Sequence, residues 1–404
     1  MALSFGAACV QHVELVSATV PGLSPFSKAP DLRVEARVIT TAADWLAIRL
    51  DWDALFGASV TASTALDFTW LYEWWRVYRS SFRKAELRVV TVWRGARLLG
   101  ALPLYVRQEL GGPIGLRCLA FISTGEAEFE ETCADYLNML CIPGEEVNCA
   151  DSMWRAIELM KWDHLQLLDI PKDSPLVEAR RASAGAGAID RGKCPIAELS
   201  GGFNAYVEKL SQKARQQVRY CLREVEKHRP IFEIASPSNQ DEFFGDLVKL
   251  HQERWTAEGK PGCFSAKRFT EFHAILARTW VPERRAILAR LSHRNQVYAV
   301  LYGFVTRSKF DLYQLGVRRT GAGSFHSPGV VANILLMRAL VEEGVTAYDF
   351  LRGASTHKER LATHDAELVA LEAWRPTLAS ALYRSADIAG RAARKGWRLM
   401  AGDS

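Results

Sequence analysis

The sequence predicts an α/β protein built from two similar units with mixed, largely antiparallel sheets. The main observation is that one order of elements occurs twice: a strand, two helices, an antiparallel set of strands, a crossover helix and further strands. The length of 404 residues also exceeds what one typical core organises, which favours two domains. Residue identity between the halves is weak, so the repeat rests on the order of the elements.

The first half starts with a strand and two helices. The run RVEARVIT alternates as a strand does, and Thr40 or Thr41 can cap the helix that follows it. That helix, TAADWLAIRLDWDALF, and the next, ALDFTWLYEWWRVYRSSF, carry apolar residues at helical spacing. Their aromatic residues are therefore expected in the core.

The remainder of the first half reads as strands around one more helix. AELRVVTVW and RLLGALPLYVRQ alternate on either side of the short turn RGA, which predicts a hairpin. The next predicted elements are the strands GLRCLAFIS and DYLNMLCI, the helix GEEVNCADSMWRAIELMK and the strands HLQLLDI and CPIAELS. The small-residue run RRASAGAGA reads as a connection.

The second half repeats this order. One long helix, FNAYVEKLSQKARQQVRYCLREVEKH, is predicted to lead into the strand IFEIAS. The further elements are the helices NQDEFFGDLVKLHQERW and AKRFTEFHAILARTW, the strands RAILARLS, VYAVLYGFVT and FDLYQLGVRR, the crossover helix PGVVANILLMRALVEEG and the strands TAYDFLRG and AELVALEAWRP. The crossover helix predicts a parallel strand pair within an otherwise antiparallel sheet.

These patterns divide the chain into four predicted segments. Residues 1–33 are expected to be a disordered leader, and residues 34–200 and 201–378 the two α/β domains. Residues 379–404 are expected to form a basic helix that either packs on its own domain or contacts a membrane surface.

The composition excludes several classes of protein. The net charge of +5 fits an anionic ligand such as a nucleotide phosphate, but not the field of a dedicated nucleic-acid binder. The eight cysteines form no C-x-x-C pair, so we expect neither a zinc site nor a disulfide framework. No apolar run reaches the length of about 18 residues that suggests a membrane span, and the N-terminus lacks the basic region of a signal peptide. We therefore expect a cytoplasmic protein.

A phosphate site is predicted where a strand ends near Arg319 and Ser327-Pro328-Gly329 opens a helix. A hydroxyl before a proline marks a helix start, and the backbone N–H groups there favour an anion. The alternative is a capped helix that binds nothing. Arg318-x-x-Gly321-x-Gly323 spells the pyrophosphate-loop pattern of acyl-CoA-dependent transferases, but it lies several residues upstream of the helix, so we give more weight to Ser327 and the residues after it.

Other catalytic motifs are absent from the sequence. There is no G-x-S-x-G elbow, P-loop or H-E-x-x-H, and no histidine has a partner at metal-ligand spacing, so no metal is expected. Lys358 follows a strand end, a glycine and small polar residues, where a cation could reach a leaving group or a phosphate; the alternative is a solvated lysine. His357 and His364 could line the site or lie at the surface.

Together these segments resemble the GNAT superfamily, in the branch called BioF2-like or cellulose-biosynthesis (CelD)-type acetyltransferases, which is related to the Fem-type aminoacyl transferases. In the second half the resemblance rests on LSQKARQQVRYCLREVEK, LHQERW, SPGVVANILLMRALVEEGVTAYDFLRG and Lys358. In the first half it rests on FTWLYEWWRVY and LRVVTVWRGARLLGALPLYVR. It covers roughly residues 34 to 376 and implies tandem GNAT-like domains, with catalysis mainly in the second domain.

The resemblance also implies how the donor binds. In GNAT enzymes the pantetheine arm lies between two diverging central strands, and the pyrophosphate rests on the start of the crossover helix. Ser327, Gly329 and Val330 would then contact phosphate, and the strand FDLYQLGV would hold the thioester and polarise its carbonyl.

The reaction implied is direct attack of an amine on the acyl carbonyl, which requires a group that takes the amine's proton. Asp349 and Tyr313 are comparable candidates for this base, and either could instead be structural. Lys358 matches the lysine that Fem-like proteins carry after this strand, where it would stabilise charge in the transition state.

The basic helix of the second half suggests an acceptor site, because Arg215, Arg219 and Arg223 share one helix face. This face could clamp a phosphate of a nucleotide-sugar, a lipid or tRNA; the alternative is a solvated face paired with glutamates. The candidate acceptor-binding residues are Arg215, Arg219, His251, Arg254 and His357.

The function expected from this resemblance is an N-acyltransferase that uses acetyl-CoA or a longer acyl-CoA. The acceptor would be an envelope sugar, a lipid long-chain base or an amino acid. An acyl carrier protein or an aminoacyl-tRNA are alternative donors, and the modest net charge weakens the tRNA variant. A non-catalytic GNAT pair that acts as a scaffold in polysaccharide export is the alternative from another class.

Overall fold

The computed structural model describes five stretches of the chain, residues 34–109, 115–184, 187–318, 326–353 and 356–385. The predicted leader (residues 1–33), Gly321, Gly323 and residues 386–404 of the predicted tail lie outside these stretches.

The first half contains nine strands and five α-helices within the described residues. They are β1 (Val34–Ile39), α1 (Ala42–Ala47), α2 (Arg49–Ala58), α3 (Phe68–Tyr78), β2 (Arg83–Leu87), β3 (Val89–Arg94), β4 (Arg97–Leu102), β5 (Leu104–Glu109), β6 (Leu116–Phe121), β7 (Leu140–Cys141), α4 (Glu146–Leu159), β8 (His164–Pro171), α5 (Pro175–Ala184) and β9 (Ile189–Glu198). Side chains start two of these helices. The Thr41 hydroxyl accepts the Asp44 N–H at 3.1 Å, and the Asp67 carboxylate accepts the Thr69 N–H at 2.8 Å.

The second half follows the predicted order except that the first long helix is divided and the helix at Thr356–Leu361 is added. Its elements are α6 (Gly202–Lys209), α7 (Gln212–His228), β10 (Ile231–Ile234), α8 (Gln240–Ala257), α9 (Lys267–Trp280), β11 (Ala286–His293), β12 (Gln296–Thr306), β13 (Lys309–Val317), α10 (Pro328–Glu342), β14 (Ala347–Asp349), α11 (Thr356–Leu361) and β15 (His364–Trp374). Residues 378–385 are also helical. Single 3₁₀ turns occur at Thr64–Leu66, Arg79–Ser81 and Cys263–Ser265.

The long helix predicted at the start of the second half is two helices. Leu210 is extended, and the Ser211 hydroxyl caps α7 by accepting the Ala214 N–H. The Arg215 guanidinium donates to the carbonyls of Glu208 and Leu210 at 2.9 and 3.0 Å and so closes the end of α6. The apolar periodicity continues through Leu210 and Ser211 and therefore predicts one helix. The Ser211 cap instead ends one helix and starts the next.

Three connections also differ from the sequence interpretation. α5 extends into the run RRASAGAGA, which the sequence predicts to be a connection, because alanine is a strong helix former. β14 ends at Asp349, earlier than the predicted strand, and α11 occupies part of the expected loop after it. β7 is two residues long.

One sheet passes through both halves. Its eleven strands lie in the order β10-β11-β12-β13-β14-β9-β15-β8-β6-β5-β2, and a second sheet has the order β1-β3-β4-β7. β13 with β14 and β6 with β8 are parallel, whereas the other paired strands are antiparallel. This confirms the predicted mixed, largely antiparallel sheets. β9 lies between β14 and β15, and β15 also pairs with β8, so strands from either side of position 200 alternate in the sheet. The domain boundary at that position stays a prediction.

The two faces of β13 and β14 contact different parts of the protein. Phe310, Leu312, Tyr348 and Phe350 belong to a buried cluster with the apolar residues of α10. On the other face, Asp311 and Asp349 are buried against side chains of the first half. This second face carries the candidate site.

Candidate active site

The site lies where β13 and β14 diverge. Lys309 to Asp311 pair in parallel with Ala347 to Asp349. β13 then continues to Val317, whereas the segment after Asp349 leaves the sheet. Among the described strands, none pairs with the β14 side of residues 312–317. We call this edge of β13, which no described strand pairs with, the open side of the fork.

A β-bulge marks the same part of β13. Tyr302 pairs with Gln314 and Gly303 pairs with Leu312, so Tyr313 is the extra residue. Gly303 permits this close approach, since a Cβ there would lie 2.3 Å from the Asp311 carbonyl oxygen. Bulges of this kind are frequent beside active sites, where they redirect a side chain and free backbone groups.

The start of α10 adjoins the end of the fork. Pro328 is its first residue, and the N–H groups of Val330 and Val331 donate to the Ser327 carbonyl at 3.0 and 3.1 Å. A Cβ on Gly329 would lie 3.1 Å from Val317 Cγ2, so the helix start packs directly against β13. The fold thus brings the predicted phosphate-binding residues Ser327, Gly329 and Val330 to the open fork.

Arg318 follows β13, but its guanidinium has another partner. Its Nε donates to the Val297 carbonyl at 2.9 Å and its backbone N–H donates to the Tyr298 carbonyl. The residue therefore continues the pairing with β12. Gly321 and Gly323 of the same motif fall outside the described residues.

Four side chains form a charged cluster at the closed end of the fork: Tyr136, Lys309, Asp311 and Asp349. The Lys309 ammonium lies 2.8 Å from Asp311 Oδ1 and 3.0 Å from Asp349 Oδ2, and 4.0 Å from the centre of the Tyr136 ring. The Tyr136 hydroxyl donates to Asp349 Oδ2 at 2.5 Å. One cation thus serves two carboxylates.

Asp349, a predicted base, is fully buried. Its Oδ1 accepts the Leu351 N–H at 2.8 Å, and its Oδ2 accepts from Tyr136 and Lys309. Burial acts to lower the pKa of Lys309, but the carboxylates of Asp311 and Asp349 raise it above its ordinary value. Burial raises the pKa of Asp311, an effect that Lys309 opposes.

A second set of ion pairs continues from Asp349 into the first half. Arg352 binds Asp169 through two parallel contacts of 2.7 and 3.0 Å, and its backbone N–H donates to Asp135 at 2.8 Å. Asp169 also accepts from Arg191 at 3.0 Å. Burial raises the pKa of Asp135 to about 6, although Arg352 acts to lower it. These contacts fix the chain that leaves the fork.

Lys358 lies on α11 and points back to this chain. Its ammonium donates to the carbonyls of Arg352 and Leu351 at 3.3 and 3.4 Å. A Cβ on Gly353 (φ 117°) would lie 3.7 Å from Nζ, so a glycine leaves this approach open. Burial lowers the pKa of Lys358 below its ordinary value, an effect that nearby acidic groups, Asp135 first, oppose. The structure thus brings Lys358 to the same end of β14 as Asp349.

Three residues around these groups have left-handed backbones although none is glycine. Tyr136, Asp169 and Leu351 have φ values of 63°, 58° and 56°. Such conformations cost about 1–3 kcal/mol each and concentrate at functional sites. The surrounding contacts therefore hold these side chains in place at a cost to stability.

Tyr313, the other predicted base, has a different environment. Its hydroxyl donates to the Thr132 carbonyl at 2.5 Å and accepts from His273 Nε2 at 2.9 Å. Burial lowers the pKa of His273 to about 3, so this ring is neutral. Burial also raises the pKa of Tyr313 well above its ordinary value. The phenol therefore links α9 and the first half to the bulge.

The predicted acceptor residues lie apart from the charged cluster. His251 and Arg254 are on α8, where His251 contacts Gln252 and Cys263 and Arg254 pairs with Glu258. Arg219 is exposed on α7, which packs against α10 on the opposite face of the sheet. Arg215 closes α6, as described above, and the side chain of His357 lies outside the described part.

Sequence reasoning missed three members of the site: Tyr136, Lys309 and Asp311. Lys309 and Asp311 lie on β13, the strand predicted to hold the thioester through its backbone. Charged residues at positions i and i+2 of a central strand point to one face of the sheet, and this pattern could have indicated a site. Tyr136 gave no local signal, since it lies in an irregular stretch of the first half.

A group of metal-ligand type also forms elsewhere in the first half. The ligand atoms of Glu109, Cys118 and His164 lie within 4.8 Å of one another, as a search of the described residues shows. Arg107 pairs with Glu109 at 2.8 Å and supplies a positive charge there. We therefore assign no metal to this group.

Within the described residues, no helix is long and apolar enough to cross a membrane.

Comparisons with known proteins identify the second half. Residues 212–359 match the family model described as an acetyltransferase (GNAT) domain. No curated protein matches the sequence significantly. The fold resembles the crystal structure of FemX, with 12% identity, a TM-score of 0.52, and coverage of 82% of this chain and 96% of FemX. It also resembles a conserved protein of unknown function from Bacteroides thetaiotaomicron, with 11% identity, a TM-score of 0.50, and coverage of 81% and 97%.

The family match confirms a GNAT domain in residues 212–359, and the structural matches confirm the predicted fold class, whereas the BioF2-like or CelD-type branch stays a prediction. The protein carries a GNAT acyltransferase domain, and domains of this family use acetyl-CoA or acyl-CoA. At such low identities the two structures show a shared fold alone.

Proposed function

We propose that this GNAT-domain protein transfers an acyl group from acyl-CoA directly to an amine of an envelope-related acceptor: a sugar, a lipid long-chain base or an amino acid. The observation that carries the proposal is the fork between β13 and β14, which has a helix start at its open end and buried charged residues at its closed end.

The donor would bind along the open side of β13. Its diphosphate would lie at the start of α10, where the backbone of Gly329 is close to Val317 and the helix dipole favours negative charge. The pantetheine amides would pair with the backbone of residues 312–317, and the thioester would then lie near the bulge at Tyr313.

The chemistry would take place at the closed end. The acceptor nitrogen attacks the carbonyl carbon, and Lys358 and bulge backbone groups stabilise the negative charge that develops. Both carbonyls that accept from Lys358 belong to the segment leaving β14, so its ammonium would lie beside the reacting groups. Its lowered pKa suits exchange of a proton with the departing thiolate.

The acceptor class is proposed from the family resemblance, and the setting from surface charge. Arg219 lies on the sheet face opposite the charged cluster, so it would contact an anionic lipid headgroup surface rather than the reacting amine, and such a contact would place the protein at the inner face of the membrane. An acyl carrier protein could replace CoA as donor, since the same pantetheine arm would enter the fork.

The test is donor binding followed by transfer. Acetyl-CoA and palmitoyl-CoA should raise the melting temperature, and mass spectrometry should detect acylated glucosamine, sphinganine or lysine when each is supplied. CoA lacking the acyl group should also stabilise the protein, because the diphosphate contacts are the same.

The alternatives give different outcomes. Stabilisation by aminoacyl-tRNA but not by CoA thioesters would favour a Fem-like transferase. No response to any of these donors would favour the scaffold and contradict the proposed function.

A further inference from the structure

The buried position of Asp349 raises the question of how a proton from the acceptor could reach it. Its side chain has no exposed surface, and both oxygens accept hydrogen bonds within the protein. An acceptor nitrogen therefore cannot touch this carboxylate. Any proton must pass through a group that contacts both Asp349 and the cleft.

Two partly exposed side chains touch Asp349, and they differ chemically. The Lys309 ammonium is held protonated by two carboxylates and has no lone pair to receive a proton. The Tyr136 hydroxyl, 2.5 Å from Asp349 Oδ2, donates to that oxygen while its own lone pairs can accept. Tyr136 is also partly exposed.

We propose, on the basis of the proposed acyl transfer, that Tyr136 relays the proton from the acceptor amine to Asp349. The nitrogen lone pair forms the C–N bond, and its N–H proton passes to Tyr136 Oη as the phenolic proton passes to Asp349 Oδ2. The C–S bond then breaks with its electron pair on sulfur. The thiolate is protonated by Lys358 or water, and the proton on Asp349 returns to solvent through Tyr136.

The charge of the cluster favours this uptake. Lys309, Asp311 and Asp349 together carry one positive and two negative charges in a buried setting, so one added proton makes the group neutral. Thr64 donates to Asp311 at 2.9 Å, and Cys194 on β9 also faces Tyr136. Burial, together with Asp349, raises the pKa of Tyr136, which keeps the phenol protonated between turnovers.

The backbone supports a role for Tyr136 beyond packing. Its left-handed conformation (φ 63°) and the Lys309 ammonium above its ring fix the hydroxyl against Asp349. Since Tyr136 belongs to the first half, the inference gives that half a role in the reaction: it would supply a catalytic group to the fork.

The test compares Tyr136→Phe with Tyr105→Phe. The control removes a buried tyrosine hydroxyl of the first half, one that donates to the Thr124 carbonyl at 2.6 Å outside the cluster. With acetyl-CoA and whichever of glucosamine, sphinganine or lysine the wild type acylates, Tyr136→Phe should lower kcat about 100-fold with an unchanged KM for acetyl-CoA. Tyr105→Phe should lower the melting temperature but keep kcat.

Hydroxylamine separates a relay from a structural effect. Its nitrogen is more acidic once bonded to the carbonyl carbon and can lose its proton to water, so the loss in Tyr136→Phe should shrink severalfold with this nucleophile. In an Asp349→Asn background, Tyr136→Phe should add little further loss, because both residues serve one step.

Each other result counts against a specific idea. A Tyr136→Phe variant with the kcat of the control, or an equal loss for both nucleophiles, would overturn the relay and leave the acyl transfer standing. A folded wild type that transfers neither acetyl nor palmitoyl groups to any of these nucleophiles, and hydrolyses neither acetyl-CoA nor palmitoyl-CoA, would overturn the proposed function, and the relay with it.

Discussion

Neighbouring residues of β13 and β14 lie on opposite faces of one sheet and meet opposite environments. Phe310 and Tyr348 pack ring to ring at 4.9 Å on the α10 face, whereas Lys309, Asp311 and Asp349 are held against the first half. Phe310, Tyr348 and both carboxylates are buried. The apolar face follows from the hydrophobic effect, but the charged face does not, since burying ions usually gives less stability than an apolar core would. The difference supports the proposal that the charged face is the one kept for chemistry.

Removal of the single cation from the charged face should have the largest effect. Lys309→Met leaves Asp311 and Asp349 as unpaired buried carboxylates, and breaking such a cluster should cost about 3–5 kcal/mol of unfolding free energy. Urea denaturation at pH 7 measures this loss.

The pH dependence of that loss has a definite sign. The folded state already raises the pKa of Asp311, so its contribution to stability is present at low pH and lost as pH rises. Without Lys309 the pKa of Asp311 in the folded state rises further, because Lys309 acts to lower it. The difference in unfolding free energy between the variant and the wild type should therefore narrow as pH falls from 7 to 5. A gap that widens on acidification would contradict the assignment.

On the apolar face, Phe310→Ala should lower the unfolding free energy by about 3–5 kcal/mol, because it leaves a cavity under α10. Here the loss should not depend on pH, and kcat should stay unchanged at a temperature where the variant is folded. Denaturation at two pH values and a transfer assay test this. If the kcat of Phe310→Ala fell as far as that of Lys309→Met, the proposed functional difference between the two faces would be contradicted.

Lys358→Ala should lower kcat by about 10²–10³-fold, because it removes a donor near the developing charge. The dissociation constant of acetyl-CoA should change little. Lys172→Ala is the matched control, since this exposed lysine pairs with Glu367 on the surface. Equal kcat values for the two variants would exclude Lys358 from the mechanism.

The smallest of these effects concerns the hydrogen bonds that join α10 to the sheet. Asn333 donates to the Gly329 carbonyl at 2.7 Å and accepts from the Tyr348 hydroxyl at 2.6 Å. Asn333→Ala leaves the buried Tyr348 hydroxyl unpaired, which should cost about 1–3 kcal/mol. It should also weaken CoA binding by loosening the helix start, measurable by calorimetry. Tyr348→Phe is the control, because it keeps the hydrogen bond between Asn333 and Gly329. If Tyr348→Phe bound CoA as weakly as Asn333→Ala, the link between the helix start and CoA binding would be contradicted.

The sequence by itself determined the features that depend on local patterns. Apolar spacing placed the helices and strands of both halves, and the Ser327-Pro328 start located α10. Asp349 and Lys358 could be selected because polar residues interrupted a buried strand and the loop after it. Such signals act over a few residues, so one sequence is enough to read them.

Tertiary structure alone decided the features that join distant segments. The insertion of β9 between β14 and β15, and the contact of Tyr136 with Asp349 across 213 positions, depend on strand order and on a left-handed backbone. Periodicity carries no information about which strand pairs with which, since every strand satisfies its backbone in the same way. The partners of Asp349 therefore depend on how distant segments of the chain pack together.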